Sequence, residues 1–197
     1  MRFLPLLCLV IACSSPVPAT VDSAQPDVVA IDAPPGGPEL AIMVRTRDGM
    51  AMDATVGGQV PLIFPPQGGF VVLVGARVHG LDHTSVTITA SLRDAINTPV
   101  LSLEMRPVQL AVGADGWASP ADPSDMFDWA NLPMCPLSTA TRNLYDQTYV
   151  LRIAAEDGSG AMAEQKLSIV PTCEAGSNGA MCRCQCRLGY KLGDPCP

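Results

Sequence analysis

The chain has little of what marks a nucleic-acid binder or an enzyme. Lysine occurs only twice in 197 residues, and acids outnumber bases to a net charge of −7. A surface of that sign repels phosphate backbones and anionic headgroups, which excludes nucleic acid as a partner and a polybasic route to membranes. Histidine is confined to His79 and His83, and no Ser/His/Asp grouping is identifiable. No glycine-rich loop leads into the Lys-Ser/Thr pair of a phosphate loop, and no acidic run has the spacing and closing glutamate of an EF-hand. No catalytic residue, metal or cofactor is assigned, and an enzyme is not expected. A long apolar run is missing too: Phe3 to Ala12 spans ten residues, about half of what a membrane-crossing helix needs.

What is abundant fits strands and turns. Aromatics make up 5% of the chain, while 17 Gly, 19 Pro and many small and β-branched residues dominate, a composition that suits short strands better than helices. The expected class is all-β.

At the amino terminus Arg2 precedes the apolar run, which closes as Leu9-Val10-Ile11-Ala12-Cys13. Charge, short apolar core and small residue follow the layout of an export signal. The stretch resembles the lipobox of bacterial lipoproteins, in which an aliphatic residue three places back and a small residue just before the cysteine direct lipidation and cleavage. The resemblance implies a signal peptide over 1–12, and a lipid anchor of the palmitate kind on Cys13 that makes the membrane a partner. Ser14 and Ser15, with no aspartate there, imply the outer membrane of the cell envelope under the best-known sorting scheme. An ordinary secretory signal cleaved near Ala19 is the alternative. Residues 13–39 then form the lipidated terminus and a Pro/Ala/Ser/Asp linker without periodicity, reaching at most roughly 80 Å if extended as polyproline at about 3.1 Å per residue.

From 40 to 171 the chain reads as a β domain. Phe70, Val72, Val74, Ala76 and Val78 share one face, and Val71 and Leu73 are apolar on the other, which predicts a central strand covered on both sides and ending at Gly80. Val86, Ile88, Ala90 and Leu92 alternate with Thr87, Thr89, Ser91 and Arg93, the pattern of a half-exposed strand. Ile42 to Thr46, Pro61 to Phe64, Val100 to Met105 and Val108 to Val112 are further candidates, the last two separated by Pro107. Tyr149, Leu151, Ile153 and Ala155 alternate into a strand that turns at Glu156 to Gly160 and returns through Leu167 and Ile169. This closing hairpin, with Tyr149 shortly after Asp146 and Gln147, resembles the last two strands of immunoglobulin-like or fibronectin type III-like sandwiches and implies a tyrosine-corner role for Tyr149. The expected fold is an immunoglobulin-like antiparallel β-sandwich, with 113–147 as an elaborated loop carrying Trp117 and Trp129.

Residues 172–197 form a small cysteine-rich tail with too few apolar residues for a core of its own. Six cysteines remain beyond the signal and the lipobox: Cys135, Cys173, Cys182, Cys184, Cys186 and Cys196. Six is even, and an exported chain permits disulfides. Five lie in the tail, so Cys135 is expected to bridge into it, with Cys173, which directly follows the last strand, as its mate. Cys184 to Cys196, CQCRLGYKLGDPC, resembles the closing half of an EGF-like module, and this resemblance implies a Cys186–Cys196 pair. Zinc held by Cys182, Cys184 and Cys186 is the competing reading, against which the single-residue gaps weigh.

Other groupings carry chemistry only in alternative readings. His79, Asp82 and His83 are the candidates for a metal-dependent enzyme or accessory protein, Asp122, Asp125 and Asp128 for a cation loop, and Trp117 and Trp129 for an envelope component that binds carbohydrate or peptidoglycan. Gln67, in Pro65-Pro66-Gln67-Gly68-Gly69-Phe70, is a candidate recognition-loop residue. The principal expectation is an anchored, non-catalytic sandwich that binds an envelope protein or an extracellular ligand.

Overall fold

The computed structural model describes residues 36–94 and 99–196. Cys13, the leader and the linker as far as residue 35 lie outside the described residues. The strands are β1 (Glu39–Arg45), β2 (Ala51–Asp53), β3 (Gly58–Pro61), β4 (Phe70–His79), β5 (Val86–Arg93), β6 (Ser102–Val108), β7 (Leu110–Val112), β8 (Ala118–Pro120), β9 (Ala130–Cys135), β10 (Tyr149–Asp157) and β11 (Met162–Thr172), followed by a helix, α1 (Ser177–Gln185). Among the described residues no helix is long and apolar enough to cross a membrane.

The strands pair into two sheets. The first runs β2-β1-β4-β8-β7, with β9 also paired to β4, and the second runs β3-β11-β10-β5-β6. Strands β1, β4 and β9 facing β5, β10 and β11 reproduce the A-B-E and C-F-G sets of an immunoglobulin-like sandwich. Pairing is antiparallel except where β3 runs parallel to β11. The core is built from one parity of each strand: Val72, Val74, Ala76 and Val78 from β4 pack with Ile88, Ala90 and Leu92 from β5 and with Leu151 and Ile153 from β10. Both sides of β4 are covered, as its unbroken apolar run predicts, because Val71 and Leu73 join Met43, Ile63 and Trp129 in a second cluster on the outer face of the first sheet.

The segment 113–147 departs from the expected loop. It holds β8, a 3-10 turn at Met126–Asp128 and β9. Strand β9 is a core strand, with Ala130, Leu132 and Met134 buried in alternation. Pro133 hides it in the sequence by removing a ladder donor, a loss tolerated on an edge strand, and the register shifts between Phe70 and Val71 beside it. Pro107 also falls inside a strand rather than between two, because β6 is the edge of its sheet. Strand β7 pairs with β8, and not with β6.

The tail carries three disulfides: Cys135–Cys186, Cys173–Cys182 and Cys184–Cys196. Cys135 does bridge into the tail, but to Cys186 and not Cys173. Cys196 pairs with Cys184 and not with the Cys186 implied by the EGF-like resemblance. The cause is α1, which the composition of the tail does not announce. On a helix, residues four apart share a face and residues two apart do not. Cys182 and Cys186 therefore both enter the main core, their sulfurs 3.9 Å apart, while Cys184 reaches back to the end of the chain.

Trp129 is fully buried, its indole against the backbone of Gly75, where a β-carbon would sit 3.1 Å from two ring atoms. Replacing Trp129 with alanine is expected to cost about 3–5 kcal/mol in urea unfolding. Serine at both Cys135 and Cys186, which are 51 residues apart, is expected to cost about 4 kcal/mol, against about 3 kcal/mol for the Cys184/Cys196 pair, on the loop-entropy scale. Equal losses in the two double variants would contradict that account of how the tail is held.

Candidate functional site

Most of the polar groups singled out in the sequence turn out to be occupied in holding loops. The Asp82 carboxylate accepts from the backbone N–H of Thr84 at 3.0 Å and its hydroxyl at 2.7 Å. Those bonds, the hydroxyl's first, hold its pKa below the usual carboxylate value. The backbone N–H of Asp82 donates to Asp157 Oδ2 at 3.0 Å, tying the β4–β5 turn to the β10–β11 hairpin. His79 is exposed, its ring 5.7 Å from that of Trp117, and His83 is half-buried. Among the described residues the one group of three or more histidine, cysteine or acidic side chains with donor atoms close enough for a common ion is Cys173, Cys182 and Cys186, whose sulfurs are already in disulfides.

The acidic loop is a clamp. Asp122 accepts from the backbone and hydroxyl of Ser124, and Asp125 caps the 3-10 turn through Phe127 N. Asp128 is buried and accepts from the backbone of Gln109 and Asp122. Arg45 donates to the carbonyls of Pro123 and Ser124, and the Trp129 indole N–H donates to that of Pro123. The loop thus seals Trp129 over the outer face of the first sheet, and no face of that ring is left for a sugar. Trp117 is half-buried, with Arg77 5.1 Å above its ring, and Arg77 also meets Asp53 and Asp115.

In the turn before β4, Gln67 is exposed. Gly69, at φ +74°, lies so close to the Cys135 carbonyl that a β-carbon would approach it to 2.6 Å. Glycine there serves a close backbone crossing beside the disulfide.

The outer face of the second sheet has no such cover. The register sets Ser168, Val150 and Arg93 in one row and Lys166, Arg152 and Ser91 in the next. Between them lies a cleft of about 360 Å³ walled by Arg93, Val150, Arg152 and Lys166. Glu164 pairs with both Arg152 and Lys166, and its pKa is lowered chiefly by the hydrogen bond from Arg152. Farther along the face, Ser85, Thr87, Thr89, Met105, Glu156, Asp157 and Gly158 line a shallower depression of about 280 Å³, and Leu103, Met105 and Met162 are exposed. This arrangement can bind by charge and hydrogen bonding. It presents no nucleophile paired with a base.

Arg93, Arg152 and Lys166 were not legible as a group. Each has the outward parity of its strand, which alternation shows, but only the strand order brings 93, 152 and 166 side by side.

At the sandwich's edge, the tyrosine corner implied for Tyr149 is present. Its buried hydroxyl donates to the Asn143 carbonyl at 3.0 Å, and burial raises its pKa. The Arg142 guanidinium lies 4.6 Å over the ring and bonds Asp94.

No protein-family model matches the chain, and no curated protein is detectably similar to it in sequence.

Asp157 gives the site region a pH signature. Its carboxyl is lowered from 3.8 to about 2, first by the Ser159 hydroxyl and then by the Asp82 N–H. A carboxyl depressed on folding stabilises the fold above its unfolded pKa and loses that contribution as pH falls through the folded value. Melting temperature is expected to decline between about pH 4 and pH 2, and Asp157→Asn to be less stable at pH 7 with a flatter acid profile. An unchanged profile in the variant would assign the acid loss to other carboxylates.

Proposed function

We propose that this protein is a lipid-anchored lipoprotein of the cell envelope, held in the outer membrane through Cys13, whose immunoglobulin-like sandwich acts by binding an envelope protein or an extracellular ligand rather than by catalysis. The observation that carries the binding reading is the uneven treatment of the two outer faces. One is sealed by Trp129 and the acidic loop, while the other leaves a charged cleft open. Loops and faces presented on a rigid sandwich are where such folds place recognition. The histidine and acidic alternatives lose support from the same geometry, because Asp82, Asp122, Asp125 and Asp128 are spent on backbone groups. Disulfides at all six later cysteines agree with an oxidising compartment outside the cytoplasm.

The anchor is tested in cells. Full-length protein produced in a bacterium fed labelled palmitate is expected to take up label and to stay with membranes through a high-salt wash, since multiple acyl chains hold far more firmly than charge. Cys13→Ser should lose the label and leave the membrane fraction. Wild-type protein that salt releases, or a serine variant that keeps its label, would refute the anchor.

A further inference from the structure

We propose that the bridges Cys173–Cys182 and Cys135–Cys186 form one thiol–disulfide exchange site, through which an external dithiol reduces the buried bridge by way of the accessible one. The site makes the hold of the tail on β9 sensitive to reductant, a property beyond the binding role proposed above.

The three disulfides differ in access. Cys173–Cys182 and Cys184–Cys196 each join a buried cysteine to a half-buried one, Cys173 and Cys196. Cys135 and Cys186 are both buried, at 5% and 0% exposure. The bridge that straps α1 to the core strand therefore presents almost nothing for an outside thiol to attack.

A second observation supplies the route. Cys182 Sγ lies 3.9 Å from Cys186 Sγ, within about half an ångström of the range in which bound groups react. The sulfurs of Cys173, Cys182 and Cys186 all fall within 4.8 Å of one another. Cys184 stands outside that group, and its Sγ faces the Pro195 carbonyl at 3.7 Å. The approach also has support besides the Cys173–Cys182 bond. Cys186 N–H donates to the Cys182 carbonyl at 2.8 Å, Leu144 N–H to the Cys186 carbonyl at 2.9 Å, and the Arg183 side chain to the Glu174 carbonyl at 3.0 Å. These contacts keep Cys182 beside Cys186 once the accessible bridge is open.

The chemistry is two displacements in series. A thiolate of the dithiol attacks Cys173 Sγ and bonds to it, the Cys173–Cys182 bond breaks, and Cys182 leaves as a thiolate. Cys182 then attacks Cys186 Sγ. A Cys182–Cys186 bond forms, the Cys135–Cys186 bond breaks, and Cys135 leaves as a thiolate that water protonates. The dithiol's second thiol displaces Cys173 and closes its own disulfide. The dithiol thereby gives up two electrons and two protons, and the protein ends with one disulfide fewer and with thiols at Cys173 and Cys135. The new bond also moves the helix. Residues four apart on a helix stand about 5–6 Å between β-carbons, and a disulfide needs about 3.5–4.5 Å, so the last turn of α1 closes up as it parts from β9.

The test is reduction of purified, detergent-solubilised full-length protein by dithiothreitol at about pH 8.5, the ordinary thiol value, with acid quenching and free thiols mapped by mass spectrometry. Cys173 is expected to be freed before Cys135. The rate of Cys135 release is expected to level off as dithiothreitol is raised, because the second displacement is internal. Cys173→Ser is then compared with Cys173→Ser/Cys182→Ser. Both lack the same bridge and differ only in the Cys182 thiol, so any loosening of the tail is common to them. Cys135 should be released at least about tenfold faster in the single variant, the gain from an attacking group already in place. Cys184→Ser/Cys196→Ser removes a bridge outside the site and should keep the wild-type order and rate. Equal rates in the first two variants, or Cys135 freed before Cys173 in the wild-type chain, would each overturn the proposal. So would a Cys135 rate that stays proportional to dithiothreitol.

Discussion

The bridge between Cys135 and Cys186 is the constraint on which the arrangement of the carboxy-terminal half depends. It joins the end of a core strand to the end of the only α-helix among the described residues, and the peptide groups beside it carry the connection onward. The Cys186 carbonyl accepts from Leu144 N, and Leu188 N donates to the Asn143 side chain. The Asn143 carbonyl in turn accepts from the Tyr149 hydroxyl. Arg142, stacked over that tyrosine, bonds Asp94 and the Thr148 carbonyl. Asp94 follows Arg93, which stands across from Val150 in the register. A covalent bond in the tail thus stands at the head of a run of hydrogen bonds and one stacked guanidinium that reaches the residue after Arg93.

The two outer faces of the sandwich solve different problems. The first sheet has a strand that is apolar on both sides, and such a strand must be roofed. The roof is a loop whose own acids cap its turns and whose indole fills the space over Gly75. The second sheet carries charged side chains, threonines and exposed methionines on its outward parity, beside the buried Ser91, Val150 and Ala154. A half-exposed sheet is therefore what leaves this fold a surface to use.

How much of this was legible in the sequence follows from the range of each signal. Strands β4, β5, β10 and β11 show themselves because a period of two is written in consecutive residues, and Tyr149 was visible because its corner is local. Strand β9 was not, since Pro133 interrupts its six residues and its partner lies sixty residues earlier. The cysteine pairing failed for a related reason. Spacing suggests partners only once the local conformation is known, and a helix sends Cys184 away from Cys182 and Cys186 where an extended chain would not. The cleft was least legible of all, because its residues share no local pattern and meet only through strand order.

The described chain enters the sandwich at Glu39, which lies across from His79, and the Asp157 hairpin is tied to that same end through Asp82. The disulfides and the Tyr149 corner gather at the other end, and Arg152 lies five residues up β10 from Asp157, about 17 Å at roughly 3.4 Å per residue. The molecule consequently has a foot and a head. The chain enters at the foot, beside the two histidines, and the cross-linked end with the cleft beside it lies at the far end from Glu39.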